Sequence, residues 1–131
     1  NVQVNVWVQN RGCKVYDHAT DNGTVTFHWA KASTSLEWPI SWNGTEFEPG
    51  LLRGNEIDQV DITENIDIAN ERVRVSAEWS LPDPSDYDAY FDGEDFTHFC
   101  LLALVNSDND PAQMIDDAGL YRTMLNSNML I

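Results

Sequence analysis

The chain has little positive charge. Its 131 residues include 7 Lys and Arg against 22 Asp and Glu, a formal net charge of −15. This balance repels phosphate backbones and anionic lipid surfaces, so nucleic acid is not expected as a partner. The simplest interpretation is a solvated acidic surface. A secreted protein, a salty habitat or a cation-binding surface would suit the same charge.

Long hydrophobic runs are also missing. The most apolar stretch is HFCLLALV, residues 98–105, far shorter than the roughly 20 residues of a membrane-spanning helix, so no membrane insertion is expected. Hydrophobic residues make up 42% of the chain, enough for one core, and the length predicts one domain over residues 1–131. Because both ends carry strand-like or apolar sequence, we expect a module of a longer chain, with any targeting signal outside it.

Motifs of common enzyme classes are absent from the sequence. There is no Gly-rich phosphate loop, no His-Glu-x-x-His and no Cys-x-x-Cys. His98 and Cys100 stand two apart on one strand, with Cβ atoms about 6.5–7 Å apart, and their apolar surroundings give a substrate no access. Packing is therefore the better interpretation of this pair. We expect a protein that is not an enzyme and that requires no cofactor.

The sequence does contain stretches in which apolar and polar residues alternate. Three stretches alternate apolar and polar residues as half-buried strands do: residues 2–8 (VQVNVWV), 25–30 (VTFHWA) and 72–79 (RVRVSAEW). Residues 96–105 are apolar on both faces, which predicts a central strand covered on both sides. DNGT, residues 21–24, predicts a type I′ turn. With no helical periodicity, the chain is expected to be all-β, an immunoglobulin-like antiparallel β-sandwich of about seven strands.

The two cysteines fall at positions that such a sandwich could join. Cys13 follows the first strand, and Cys100 lies in the expected central strand. Early and late core strands of an immunoglobulin-like sandwich face each other across the two sheets, so a Cys13–Cys100 disulfide is expected. The alternative is two buried thiols, since free cysteine is among the most buried residue types.

The order of these features resembles the CARDB-like domains, a bacterial cell-adhesion-related branch of the immunoglobulin and fibronectin type III-like sandwiches. VNVWVQNRG (4–12) resembles that family's opening strand and turn. VTFHWAKAS (25–33) resembles the following strand, and VRVSAEWSLPDPSDY (73–87) resembles its strand ending in Trp-x-x-Pro. NRGC, HWAKASTSLEWPISW and HFCLLALV are similar to parts of sandwich modules in large secreted or surface proteins.

This resemblance implies a non-catalytic module at the cell surface or outside the cell. Its function would be spacing, adhesion or recognition of a protein or polysaccharide partner, and the family carries over no catalytic residues. One departure concerns the end of the chain, where NSNMLI resembles the family's closing turn but its last strand is short. A neighbouring segment or a second copy would then complete the sheet edge, so self-association by strand complementation is an alternative function.

Calcium is the cation that the acidic loops favour. Hard cations need several oxygen ligands that converge from loops. Two loops offer them, and the candidate ligands are Asp83, Asp86, Asp88, Asp92 and Asp95 in the first, and Asp108 and Asp110 in the second. The alternative is a pair of solvated acidic loops. Placement of both loops at one end of the domain would favour the metal site.

Two tryptophans in a turn-rich segment are candidates for ligand binding. EWPISW places Trp38 and Trp42 four residues apart, and exposed aromatic rings give flat surfaces on which sugar rings stack. A carbohydrate-binding accessory module of a secreted hydrolase is therefore a further alternative function. The competing interpretation is that these rings cap the core beneath a long loop.

Overall fold

We analysed a computed structural model of the protein, which describes residues 1–33, 36–68, 71–91, 95–109 and 129–130. The described residues are predominantly β and the strand pairs are antiparallel, which confirms the predicted all-β class. The strands are β1 (Val2–Gln9), β2 (Thr24–Lys31), β3 (Glu46–Glu48), β4 (Leu51–Leu52), β5 (Gly54–Asp61), β6 (Arg72–Trp79), β7 (Phe99–Asn106) and β8 (Met129–Leu130). The helical turns are α1 (His18–Asp21) and the 3-10 helices Ile40–Trp42, Pro84–Tyr87 and Asp95–Thr97. No helix in this described part is long and apolar enough to cross a bilayer.

The strands form three sheets. β1 pairs with β6, β5-β2-β7-β8 form a four-stranded sheet, and β3 pairs with β4 as a short ribbon. Every pair is antiparallel. β2 and β7 are the central strands of the larger sheet, so the segment that was predicted to be a central strand is confirmed as one.

The two larger sheets share a hydrophobic core because their strands alternate. In β1, Val4 and Val6 pack against the core and Val8 is buried, whereas Trp7 lies on the opposite, exposed side. From β6, Val75 is buried in the same cluster as Val25 and Phe27 of β2. Each such side chain stabilises the fold by about 1.5–3 kcal/mol when fully buried. The two-residue period seen in the sequence therefore determines which face of each strand enters the core.

β7 is covered on both faces, as its unbroken apolar sequence predicts. Leu102 and Leu104 pack against Trp42 on one face. Ala103 lies on the other face, in the core shared with β1 and β6. Leu101 departs from this pattern, since 37% of it is exposed.

The predicted type I′ turn at residues 21–24 is wrong. α1 ends at Asp21, and Asn22 caps it in the left-handed conformation with φ 47° and ψ 49°. Asn22 does adopt the positive φ that its sequence favours, but it ends a helix instead of joining two paired strands. A Cβ at Gly23 would lie 2.4 Å from the hydroxyl of Tyr16, so any larger residue there would displace that side chain.

The predicted Cys13–Cys100 disulfide is also wrong, since both cysteines are free. Cys13 is exposed in the loop after β1, beside Lys14, whose Nζ lies 3.8 Å from Asp21 Oδ1 just before β2 begins. Cys100 pairs with Ala30, near the far end of β2. The extended strand between these ends is about 20 Å long, whereas a disulfide needs Cα atoms within about 7 Å.

Candidate functional site

The first acidic loop is organised by its own hydrogen bonds. Asp83 caps the 3-10 helix Pro84–Tyr87, because its Oδ1 accepts from the Ser85 backbone N at 2.9 Å and from Ser85 Oγ at 2.8 Å. These bonds, the Ser85 hydroxyl first, lower the pKa of the Asp83 carboxyl. Asp86 and Asp88 are exposed on the same turn. The arrangement accounts for this loop as a helix cap with solvated carboxylates.

The second acidic loop lies at the opposite end of the larger sheet. Asp108 Oδ2 accepts a hydrogen bond from Asn22 Nδ2 at 2.7 Å, beside the start of β2. The first loop lies at the other end, where the ring of Tyr87 is 5.7 Å from the ring of Phe99 at the start of β7. An eight-residue strand separates these ends by about 25 Å. The described candidates Asp83 and Asp108 therefore cannot meet on one cation.

A calcium site is not assembled within the described ranges. There, no group of three or more His, Cys, Asp or Glu side chains is placed to hold a metal ion. The candidates Asp92 and Asp110 lie outside the described residues, and Asp95 is described only as the first residue of its 3-10 helix. Calcium binding by this chain stays a prediction.

A buried carboxylate holds the two segments around the second loop together. Asp21 is 6% exposed, and its Oδ2 accepts from the Asp17 backbone N at 2.9 Å. Its Oδ1 accepts from Asn109 Nδ2 and lies near Lys14. With both oxygens engaged by the protein, Asp21 acts as a structural link between α1 and the loop after β7.

A buried cation lies at the other end of the sheet. Lys31 is 1% exposed, and its Nζ donates to the His98 carbonyl at 2.6 Å. The same nitrogen lies 4.3 Å from the ring centre of Phe91 and 5.2 Å from that of Phe99, distances at which aromatic faces stabilise a cation. This cluster anchors the residues just before β7, and its Lys31 side chain is closed to solvent.

Trp42 is excluded as a sugar-stacking surface because its side chain is completely buried. Trp38 is half-buried and meets the ring of His28 edge-on, with centroids 5.2 Å apart. Burial of the His28 ring lowers its pKa. Its Nδ1 lies 3.2 Å from the Trp42 carbonyl oxygen. Both tryptophans thus cap the core beneath the loop, and only part of the Trp38 ring is left for a ligand.

The most exposed tryptophan is one that the sequence reasoning did not select. Trp7 is 57% exposed, in the middle of β1, and it stands on the outward side of the β1–β6 pair. We call this side the outer β1–β6 face; its residues are Gln3, Asn5, Trp7 and Gln9 of β1, and Arg72, Arg74, Ser76 and Glu78 of β6. The signal was present in VQVNVWV, where Trp7 shares a face with Gln3 and Asn5 while the valines alternate with them on the other face.

The outer β1–β6 face surrounds its one aromatic ring with polar groups. Arg74 is directly opposite Trp7 in the strand register, and Asn5 is opposite Ser76. Ser76 Oγ donates to Asn5 Oδ1 at 2.6 Å, which fixes the orientation of both groups. Since the residues lie on two paired strands, the ring and its polar neighbours are held by a rigid scaffold.

A shallow apolar groove follows the free edge of β1. It encloses about 380 Å³ between Val4 and Val6 of β1 and three residues of the larger sheet, Phe27, Leu101 and Ala103. Among the described residues, β1 pairs only with β6, so its second edge has no strand partner there. This edge is where an additional strand could pair.

Comparison with family models, with curated proteins and with solved structures finds no match to this chain. The resemblance to the CARDB-like domains therefore remains an expectation from the sequence motifs.

Proposed function

We propose that the protein is a non-catalytic carbohydrate-recognition module with an immunoglobulin-like β-sandwich fold, carried by a secreted or cell-surface protein. The sandwich is supported by the core that the β1–β6 pair shares with the larger sheet, where Val75 packs in one cluster with Phe27. Such a fold holds the outward side of each sheet in place through the shared core, which suits binding of an extended ligand.

The observation that carries the proposal is the exposed indole of Trp7 within a polar sheet face. Single exposed apolar residues are common on protein surfaces and need no function. Trp7 differs because it lies mid-strand on a sheet face, with the amide of Asn5 and the hydroxyl of Ser76 beside it. An apolar ring flanked by a few oriented polar groups matches a sugar, which presents a C–H face and a rim of hydroxyls.

The test is a binding screen on neutral and acidic glycans, with and without calcium, read by tryptophan fluorescence and calorimetry. Trp7→Ala is expected to abolish binding to whichever glycan class binds. Trp38→Ala is the matched control, because it removes the other partly accessible candidate ring. Loss of binding in Trp38→Ala with full binding in Trp7→Ala would move the site to the loop, and silence across all glycans would refute carbohydrate recognition.

Strand complementation is the second candidate function, favoured by the groove at the free edge of β1. An extended segment there would pair with the β1 backbone and cover Leu101 and Val6. Size-exclusion chromatography with light scattering over a hundredfold concentration range tests whether a second copy supplies that strand. A monomer at every concentration would contradict self-association.

A further inference from the structure

We infer that the outer β1–β6 face selects anionic glycans, in which carboxylate or sulfate groups bind the guanidinium groups of Arg72 and Arg74 while a sugar ring stacks on Trp7. This inference rests on the proposed carbohydrate recognition and adds the ligand class. It depends on three observations: the register of the two strands, the absence of partners for the arginines among the described residues, and the local sign of the charge.

The register places both arginines within reach of a ligand on Trp7. Arg74 is the direct cross-strand partner of Trp7, and such pairs have Cβ atoms about 4.5–5.5 Å apart. Arg72, opposite Gln9, is a diagonal neighbour, with its Cα about 7–8 Å away. The long, flexible side chains of both residues can span much of those distances. A ring stacked on the indole would therefore lie between two cationic groups on one side and the Asn5–Ser76 pair on the other.

Neither arginine has a side-chain partner within the part of the chain that the structure describes. Among the described residues, no ion pair or hydrogen bond engages the guanidinium of Arg72 or Arg74, and both residues are exposed. Other cations of the chain are used internally: Arg53 lies over the ring of Phe47 at 4.5 Å, and Lys31 is buried among aromatic rings. Each free guanidinium presents five N–H donors in a planar fork, which fits two oxygens of a carboxylate or sulfate.

The charge of this face is opposite to that of the whole protein. It carries two of the 7 basic residues and, in Glu78, one of the 22 acidic residues. An anionic ligand is thus attracted here and repelled by most of the remaining surface. Because screening limits charge effects to about 8 Å at physiological salt, contacts with the arginines outweigh the distant acidic residues for a short ligand. The inference accordingly concerns short anionic segments, since a long polyanion would also meet the acidic surface.

The experiment uses four tetrameric probes and isothermal titration calorimetry. The probes are tetragalacturonic acid, its methyl ester, a sulfated carrageenan tetrasaccharide and tetrathymidylate. The variants are Arg72→Gln, Arg74→Gln, Trp7→Ala and the control Arg53→Gln, which removes the same charge at a distant position. Thermal melts establish that each variant is folded.

The expected result is that the acid or the sulfated probe binds at least tenfold more tightly than the methyl ester. Arg74→Gln and Arg72→Gln each weaken that binding by roughly tenfold, as expected for loss of a charge-assisted hydrogen bond. Arg53→Gln leaves it unchanged. The anionic probe that binds identifies whether carboxylate or sulfate is preferred.

Other results would overturn the inference, and they separate it from the proposed function. Equal binding of acid and ester, both lost in Trp7→Ala, would retain carbohydrate recognition and refute the charge preference. Binding of no tetrasaccharide would refute both. Tighter binding of tetrathymidylate than of any sugar would show that the ring stacks bases, which also refutes the inference.

Discussion

Trp7 and Arg74 are direct cross-strand partners on the exposed side of the β1–β6 pair. The indole is 57% exposed although the chain has ample core in which to bury tryptophan: Trp29 is 5% and Trp42 0% exposed. The valines beside Trp7 take the inward positions, so the strand can place a large aromatic ring only in solvent. This relationship is the basis of the recognition surface proposed above.

Truncation of the exposed tryptophan is expected to change the stability of the protein little, and truncation of the buried one is expected to lower it strongly. Trp7→Ala should change the free energy of unfolding by about 1 kcal/mol or less, because more than half of this residue is already exposed in the folded protein. Trp42→Ala should lower it by about 3–5 kcal/mol, since a fully buried ring leaves a cavity against Leu102. Urea unfolding measures both values. Similar losses in the two variants would mean that Trp7 is packed in solution and is unavailable to a ligand.

The Tyr16 hydroxyl is expected to stabilise the junction between α1 and β2. It accepts from the Gly23 backbone N at 2.7 Å and donates to the Ile62 carbonyl at 3.1 Å. Tyr16→Phe leaves both backbone groups unpaired and should cost about 1–3 kcal/mol of unfolding free energy. Tyr90→Phe is the control, because its hydroxyl makes one exposed bond to Glu48, and it should cost under about 1 kcal/mol. A larger loss in the control would contradict this account.

The two cysteines are expected to react as separate free thiols. Cys13 is exposed and should react within minutes with a thiol reagent under native conditions. Burial raises the pKa of the Cys100 thiol, so little thiolate forms and its reaction should be much slower. Cys13→Ser should remove the fast phase alone. A mass gain of about 2 Da on reduction would instead establish the disulfide that this structure excludes.

His28 is expected to make stability depend on pH below neutrality. Burial lowers its pKa below the usual 6.5, against smaller opposing effects of the Trp42 carbonyl and Glu56. The unfolded chain therefore binds more protons between the folded pKa and 6.5. Neutral His28 therefore contributes fully to the stability of the folded state above pH 6.5. This contribution is lost as the pH falls through the lowered pKa of His28 in the folded protein.

An NMR titration of the imidazole signals measures this shift directly, and His28 should titrate below 6.5. Unfolding free energies at pH 7.5 and 5.5 give a second check. The decrease should be smaller in His28→Gln than in His18→Gln, in which an exposed histidine is replaced. Titration of His28 at or above 6.5 would contradict the burial argument.

Local patterns in the sequence predict much of this fold, since strand alternation is a property of neighbouring residues. Residues 72–79 form β6 with Val75 facing inward, as their period indicates. Long-range relationships were not predictable in this way. The cysteine pairing failed because Cys13 and Cys100 lie at opposite ends of β2, and strand order and direction are needed to know this.

The position of the candidate binding surface likewise depends on long-range packing. The turn-rich sequence around Trp42 predicts a loop, but it does not predict which tryptophan of that loop is covered by the core. In the structure Trp42 is wholly buried. The separation of Asp83 from Asp108 likewise depends on topology. Trp7 was predictable, because its place among the polar residues of β1 already indicated an outward ring.

The most direct measurement of the central proposal is a proton–nitrogen NMR titration of the five tryptophan indole signals with the glycan that binds. The account predicts that the Trp7 indole signal moves with saturating dependence on ligand, together with the side-chain signals of Arg72 and Arg74. The signals of the other four indoles, including the buried Trp42, should stay in place. Movement centred on Trp38, or no movement of Trp7 under conditions where binding is measured by calorimetry, would contradict recognition through the outer β1–β6 face.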